Sequence, residues 1–144
     1  MALRQIEYGS PAYLEMVKLR YKVLRQPLGL DFSEEELSKE QDDIHIANTD
    51  DDGKIIGCCI LTQIGHDTYR LRQMAVSEKF QKRGIGEGII EYAENLARDK
   101  NIRFIVMHAR DSVLGFYEKM GYRIQGQGFT EVGLPHHIMM KNLF

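Results

Sequence analysis

One short segment combines the residue types that bind a phosphate group. It is Gln81-Lys82-Arg83-Gly84-Ile85-Gly86, and it stands between a strand-like run and a helical pattern. Glycines let the backbone approach a ligand closely, and the first turn of a helix offers unpaired N–H groups and the positive end of its dipole. Lys82 and Arg83 add positive charge. The segment therefore predicts a pyrophosphate-binding site, although a plain connecting loop would use the same glycines.

Two common phosphate-binding motifs do not fit this segment. The chain has no Gly-x-x-x-x-Gly-Lys-Ser/Thr run, and it has no Gly-x-Gly-x-x-Gly followed at the usual distance by an acidic residue. A P-loop NTPase and a dinucleotide-binding fold are therefore disfavoured.

Candidates for proton transfer lie outside this segment. Histidine exchanges protons near neutral pH, so His108, His136 and His137 are candidates for a general base. Each alone is more often a structural or surface residue. The strand before the loop carries Gln73 close to Arg70 and Arg72 and has no carboxylate. Gln73 can orient a water molecule or a substrate but cannot accept a proton.

The two cysteines, Cys58 and Cys59, are adjacent in an apolar run. Neighbours in a strand point to opposite faces, so a disulfide between them would strain the backbone, and two cysteines alone cannot form a structural zinc site. We expect two reduced thiols in a reducing cytoplasm, packed in the core rather than catalytic, and no bound metal.

Composition predicts one soluble domain over residues 1–144. A hydrophobic fraction of 43% suffices for a core, and a net charge of −2 favours neither a nucleic-acid partner nor an anionic membrane surface. No apolar run is long enough to cross a bilayer, and the first residues lack a signal-peptide pattern, so a cytoplasmic location is expected.

The first half of the chain predicts a strand, two helices and an antiparallel meander. Residues 4–8 form the strand, and Ser10 and Pro11 start a helix whose apolar face would hold Leu14, Val17, Tyr21 and Leu24. A Ser33–Glu36 capping box opens a shorter helix. Residues 44–47, 54–64 and 69–76 then form strands, the last with Tyr69, Leu71, Gln73 and Ala75 on one face and Arg70, Arg72, Met74 and Val76 on the other.

The second half predicts a crossover helix and a parallel strand. A helix follows the phosphate loop and ends near Lys100, with a buried stripe of Ile89, Ile90, Ala93, Leu96 and Ala97. Residues 102–107 form the next strand, which pairs in parallel through a right-handed crossover. A helix over 112–120 ends before Gly121, and strands near 122–125 and 138–141 complete a mixed sheet. The fold class is α+β.

Two motifs in this order resemble the GNAT (GCN5-related N-acetyltransferase) family. The family motif Gln/Arg-x-x-Gly-x-Gly/Ala corresponds to residues 81–86, preceded by Leu71-Arg72-Gln73-Met74-Ala75-Val76. A second motif corresponds to Leu114-Gly115-Phe116-Tyr117-Glu118-Lys119-Met120-Gly121-Tyr122. The resemblance implies the GNAT fold: a mostly antiparallel mixed sheet, a central parallel strand pair that splays around Met74 and Val106, and flanking helices.

The resemblance also implies acetyl-CoA as the acyl donor. Backbone amides of Gln81, Lys82, Arg83, Gly84, Ile85 and Gly86 would bind its pyrophosphate. The segment Met74-Ala75-Val76 would pair through its backbone with the pantetheine arm. The N–H of Met74 would stabilise the thioester oxygen, and Tyr117 would protonate the departing sulfur.

The segments Arg20-Tyr21-Lys22-Val23-Leu24-Arg25 and Glu131-Val132-Gly133-Leu134-Pro135-His136 resemble an ElaA-like branch of the family. They imply an acceptor site with Arg25, Glu131 and His136, beside Gln73. One departure is Arg110, which occupies a position where many members carry an asparagine.

These features predict an N-acetyltransferase that acts on a primary amine of a small molecule or peptide by direct transfer. A different acyl group, or a noncatalytic CoA-binding sensor or interaction module, remains an alternative. The acidic residues 31–36 would suit a cationic acceptor, although a helix start explains them as well. A homodimer through the C-terminal strands is a further expectation.

Overall fold

The computed structural model describes residues 1–144 as one seven-stranded mixed sheet with helices on both faces. The strand order is β1-β2-β3-β4-β5-β7-β6, and β4 and β5 are its parallel pair. The strands are β1 (Ala2–Ile6), β2 (Ile44–Thr49), β3 (Ile55–Gln63), β4 (Thr68–Val76), β5 (Phe104–Arg110), β6 (Arg123–Glu131) and β7 (Leu134–Asn142). The α-helices are α1 (Pro11–Arg20), α2 (Glu34–Ser38), α3 (Ile85–Asp99) and α4 (Leu114–Lys119). The predicted α+β class is confirmed.

The largest hydrophobic core lies between the sheet and α3. The predicted stripe is confirmed: Ile89, Ile90, Ala93 and Ala97 have no exposed surface, and Leu96 is 9% exposed. β4 and β5 pair in parallel and α3 connects them, which confirms the predicted parallel pairing through a crossover helix. No helix combines the length and the apolar character that a membrane crossing requires.

The predicted apolar face of α1 is confirmed only in part: Val17 and Leu24 pack, partly buried, against the core, but Leu14 does not. Leu14 is 58% exposed, whereas Tyr13, Met16 and Leu19 are buried in the core on the other face of the sheet. A buried ion pair and a change of helix type hid this face from a hydrophobic pattern. Arg20 is fully buried with Glu40, and one turn of π-helix (Tyr21–Arg25) changes the helical phase after α1.

The Ser33–Glu36 capping box is confirmed, because each side chain pairs with the backbone N–H of the other residue. Gly121 follows α4 with φ 96°, as predicted for the position after a helix. The hairpin β6–β7 is longer than the strands predicted near 122–125 and 138–141. Most of β6 is exposed, so it lacks the apolar alternation that would have marked its length.

A β-bulge in β4 corrects the predicted faces of that strand. Gln73 has φ 55°, and the β3–β4 register shifts between Cys58 and Ile60. The extra residue reverses the alternation of side chains. Leu71 therefore packs in the core beside α3, whereas Ala75 packs in the core beside α1.

The bulge coincides with the end of the parallel ladder. β4 and β5 pair from Thr68↔Phe104 to Leu71↔Met107, and β5 then continues beside β7 as far as Arg110. Beyond Leu71 the remaining residues of β4 have no partner on β5. The two central strands therefore diverge, and a gap opens between them.

Candidate active site

A cavity of about 920 Å³ occupies the place where β4 and β5 diverge. Its walls come from the π-helical turn after α1, from β4 and β5, from the loop before α3, from α4 and from the tip of the β6–β7 hairpin. The predicted site residues that line it are Arg25, Gln73, Met74, Val76, Gln81, Lys82, Gly84, Ile85, Gly86, His108, Tyr117, Glu131 and His136. Segments far apart in the chain thus meet around one space.

Three predicted residues do not line the cavity. Ala75 is 2% exposed and packs towards α1 because of the bulge. The guanidinium of Arg83 lies 5.6 Å from the centre of the Phe80 ring, outside the cavity wall. The Nδ1 atom of His137 pairs instead with Asp111 at 2.7 Å.

The loop before α3 presents its backbone at one end of the cavity. Gly84 is the N-cap residue of α3 with φ 79°, and no side chain caps this helix terminus. A methyl group at Gly86 would lie 3.5 Å from Phe116 and 3.7 Å from Val76, in ordinary van der Waals contact with two residues of the cavity wall. Gln81 Nε2 donates to the Val76 carbonyl at 3.0 Å and ties the loop to β4. A 15-residue helix with uncapped amides attracts an anion.

Tyr117 and Tyr122 have different roles in the packing around α4. Tyr122 donates its hydroxyl to Glu94 at 2.9 Å, deep in the core and away from the cavity. Tyr117 lines the cavity, is 7% exposed, and packs edge-on against Phe116. Burial raises the pKa of the Tyr117 phenol above its ordinary value of 10.0. Tyr117 therefore keeps its proton at neutral pH and has one to donate.

His108 and Glu131 form a hydrogen-bonded pair on the opposite wall. Nδ1 of His108 lies 2.9 Å from Oε1 of Glu131 and 3.0 Å from Nη2 of Arg70. Burial raises the pKa of Glu131, but the hydrogen bond with His108 and the charges of His108, His136 and Arg70 outweigh it, so the net pKa falls below 4.5. A carboxylate at neutral pH is thus present at this wall, although β4 itself carries none.

His136 lies on the other side of the same carboxylate. Its Nδ1 donates to the Leu134 carbonyl at 2.9 Å, because a carbonyl oxygen only accepts, and its Nε2 is 3.8 Å from Oε2 of Glu131. Phe129 stacks on the His136 ring and meets the His108 ring edge-on. The hairpin and β5 together hold Glu131 between two imidazoles.

Arg25 lines the cavity but already has an anionic partner. Its guanidinium contacts Glu36 at 2.9 Å and the Asp31 carbonyl at 2.9 Å, and it stacks on Phe32 at 4.1 Å. None of the acidic residues between 31 and 36 lines the cavity, so they give no support for a cationic acceptor.

Sequence reasoning missed several residues of the cavity wall. Arg70, Arg72 and Phe116 line it, and Arg110 lines it while donating to the Leu24 carbonyl at 3.2 Å. Arginines at alternate positions of β4 were the available signal, because one face of a strand should present both to the same space. No group of three or more His, Cys, Asp and Glu side chains is arranged to hold a metal ion.

Comparison with protein families matches residues 40–124 to the acetyltransferase (GNAT) domain. The chain belongs to the GNAT acetyltransferase family. The matched residues include the GNAT phosphate loop, the diverging strands and Tyr117. They end within β6, so the hairpin residues Glu131 and His136 lie outside the matched part.

Two relatives, an uncharacterized protein and an uncharacterized N-acetyltransferase, match part of the chain. The chain is similar to the Bacillus subtilis protein YyaT, with 32% identity over 80 residues, 56% of this chain and 53% of YyaT. It is also similar to the Bacillus subtilis N-acetyltransferase YitI, with 33% identity over 72 residues, 50% of this chain and 48% of YitI. The chain thus spans about half the length of the curated relatives it matches.

Solved structures share the GNAT fold over the whole chain. An aminoglycoside 6'-N-acetyltransferase complexed with coenzyme A has a TM-score of 0.83 at 18% identity, covering 100% of this chain and 98% of that one. Escherichia coli ElaA has a TM-score of 0.83 at 15% identity, covering 99% and 100%. At these identities the likeness establishes the fold alone, and an ElaA-like acceptor site stays a prediction.

Proposed function

We propose that the chain acts as a single domain over residues 1–144 and transfers the acetyl group of acetyl-CoA to a primary amine of a small molecule or peptide. Transfer is direct, within a ternary complex. The observation that carries the proposal is the divergence of β4 and β5. It opens one cavity between the Gln81–Gly86 loop and the His108–Glu131 pair.

The donor would enter from the loop side. Its pyrophosphate would meet the uncapped amides at the start of α3, with Lys82 beside them. Its pantetheine arm would run along Met74 and Val76, where β4 has left its ladder with β5. The amide of Met74, just after the bulge, would stabilise the thioester oxygen. CoA bound to a structure of the same fold supports this choice of ligand.

The acceptor would enter from the side of the π-helical turn and the hairpin. An ammonium group first loses a proton to the His108–Glu131 pair, and the neutral nitrogen then attacks the thioester carbon. The C–S bond breaks as the C–N bond forms, and Tyr117 gives its proton to the thiolate. The second proton of the nitrogen then restores the phenol of Tyr117, while the first leaves the His108–Glu131 pair for solvent. The reaction thus yields an amide, a thiol and one released proton. His136 would position the carboxylate of Glu131.

The alternative of a noncatalytic CoA-binding module depended on the missing carboxylate of β4. Glu131, on the β6–β7 hairpin, places a carboxylate at the same cavity, so the absence of one from β4 no longer favours a noncatalytic module. We therefore favour the enzyme.

The proposal is tested by a screen of primary amines for acetyl-CoA-dependent release of CoA thiol. Calorimetry with acetyl-CoA alone runs in parallel and separates binding from turnover. We expect micromolar binding and at least one amine that accelerates thiol release. Binding without acceleration by any amine would favour the noncatalytic module, and faster release from a longer acyl-CoA would assign a different acyl donor.

A further inference from the structure

The acceptor end of the cavity is rich in arginine. Four arginines and Lys82 line the cavity, against two carboxylates, Glu87 and Glu131; the four arginines are Arg25, Arg70, Arg72 and Arg110. The whole chain, by contrast, has a net charge of −2. A positive cavity in an acidic protein repels a polycation and attracts an anion.

The arginines differ in how far their charge is already neutralised. Glu36 neutralises Arg25, with 2.9 Å between the charged groups. Arg72 lies 3.8 Å from Asp43 and donates to the Thr62 hydroxyl at 3.3 Å. Arg70 contacts His108 through Nη2, its Nη1 makes no hydrogen bond, and its Nε is buried without a partner. Nη1 can therefore donate to a ligand oxygen, whereas the buried Nε is out of a ligand's reach.

Arg70 and Arg72 also lie on one face of β4. Both precede the bulge at Gln73, so the regular alternation of the strand directs them to the same side. Arg70 contacts His108, which contacts Glu131. A guanidinium that can bind an anionic group is therefore in direct contact with the pair that would take the amine proton.

We infer that the acceptor is a small amino acid, an inference that rests on the proposed acetyl transfer. Its amine contacts the His108–Glu131 pair, while Arg70 and Arg72 bind its carboxylate. Guanidinium groups bind carboxylates through paired N–H donors. The carboxylate would satisfy the free donor of Arg70 and would place the amine beside Glu131.

The test compares three acceptors that share the same side chain and differ only at the carboxylate. They are an amino acid, its C-terminal amide and the amine that remains after decarboxylation. We expect kcat/KM to be at least about tenfold higher for the amino acid, because the site loses a charged partner in the other two. The substitution Arg70→Gln or Arg72→Gln should remove this preference and leave the Kd of acetyl-CoA unchanged. The exposed Arg123→Gln, outside the cavity, is the charge-matched control and should retain the preference.

Equal or better turnover of the decarboxylated amine would overturn the inference and leave the acetyltransferase proposal intact. If no amine is acetylated, calorimetry in the presence of CoA still decides, with an N-acetylamino acid and its amide as probes. Tighter binding of the acid would support the carboxylate site, and equal binding would contradict it. An aminophosphonate of the same length tests whether the site prefers a phosphonate to a carboxylate. A phosphonate that outcompetes the carboxylate would contradict the inference that the acceptor is an amino acid.

Discussion

Nδ1 of His108 lies 2.9 Å from the carboxylate of Glu131, although 23 positions separate the two residues in sequence. The same nitrogen lies 3.0 Å from Arg70. A proton on Nδ1 pairs it with Glu131, and its removal lets Nδ1 accept from Arg70. Each protonation state of this nitrogen thus has one hydrogen-bond partner, which suits a group that accepts and releases a proton.

Replacing Glu131→Gln should lower kcat by about 10²-fold, the lower end of what a general base contributes. The amide keeps the size of the side chain but cannot hold the amine proton. Steady-state kinetics with saturating acetyl-CoA measures the effect. The matched control is Asp111→Asn, which breaks a similar carboxylate–histidine pair (2.7 Å to His137) outside the cavity and should leave kcat unchanged. Equal losses in both variants would remove Glu131 from the chemistry.

The same variant has a predicted pH dependence of stability. The pKa of Glu131 is lowered below 4.5 in the folded protein, so its ionised form stabilises the fold. This contribution is present above pH 4.5 and is lost as the pH falls through the lower, folded value. The difference in unfolding free energy between wild type and Glu131→Gln should therefore shrink in acid. A difference that grows below pH 4.5 would contradict the direction of the shift.

Replacing Tyr117→Phe should lower kcat by about 10²-fold and leave the Kd of acetyl-CoA nearly unchanged, because only the proton donor is lost. Calorimetry and steady-state rates separate the two effects. The control Tyr122→Phe removes a phenol that bonds to Glu94 in the core. It should cost about 1 kcal/mol of stability and leave the turnover of folded protein intact. An unchanged rate in Tyr117→Phe would exclude it as the acid.

Replacing Gly84→Ala should weaken acetyl-CoA binding about tenfold. A methyl group at Gly84 meets no atom within 4 Å, so the effect comes from φ 79°, which an L-residue adopts at a cost of roughly 1–2 kcal/mol. In the Gly84→Ala variant the free loop relaxes away from the positive φ at residue 84. Binding of acetyl-CoA must then restore this strained conformation, which lowers the affinity. Gly9→Ala is the control, with φ 78° and the same open surroundings, but outside the cavity. Similar affinities in the two variants would show that the loop does not bind the donor.

Cys58 and Cys59 should not react with a thiol reagent in the folded protein. Both are fully buried, on opposite faces of the sheet, and burial raises the pKa of Cys58 to about 12. The thiolate that reacts is therefore scarce at neutral pH. A chromogenic disulfide reagent should detect no thiol in buffer and both in denaturant. Rapid labelling of the native protein would contradict the buried placement and would interfere with the thiol-release assay.

Local signals in the sequence predicted much of the fold. The stripe of α3, the Ser33–Glu36 capping box and Gly121 each depend on neighbouring residues, which a sequence displays directly. The bulge at Gln73 was not predictable in this way, because only pairing with β3 reveals an extra residue. The buried face of α1 was missed for a related reason: Arg20 is buried only because Glu40, on another segment, pairs with it at 2.7 Å.

The candidate site was predicted in parts. His108, His136 and Glu131 were each candidates from sequence, but their meeting depends on the antiparallel pairing of β5 with β7 and of β7 with β6. Arg70 appeared only as a neighbour of Gln73. Its importance comes from its contact with His108 across the parallel β4–β5 pair and from its place in the cavity wall, which no sequence pattern contains.

The most direct test of the account follows isotopically labelled acetyl-CoA by mass spectrometry of both protein and amine. Direct transfer in the cavity predicts label on the amine nitrogen, one CoA thiol released for each amide formed, and no label on the protein when the amine is omitted. Labelled protein that accumulates without an amine, or thiol release with no labelled amide, would contradict it.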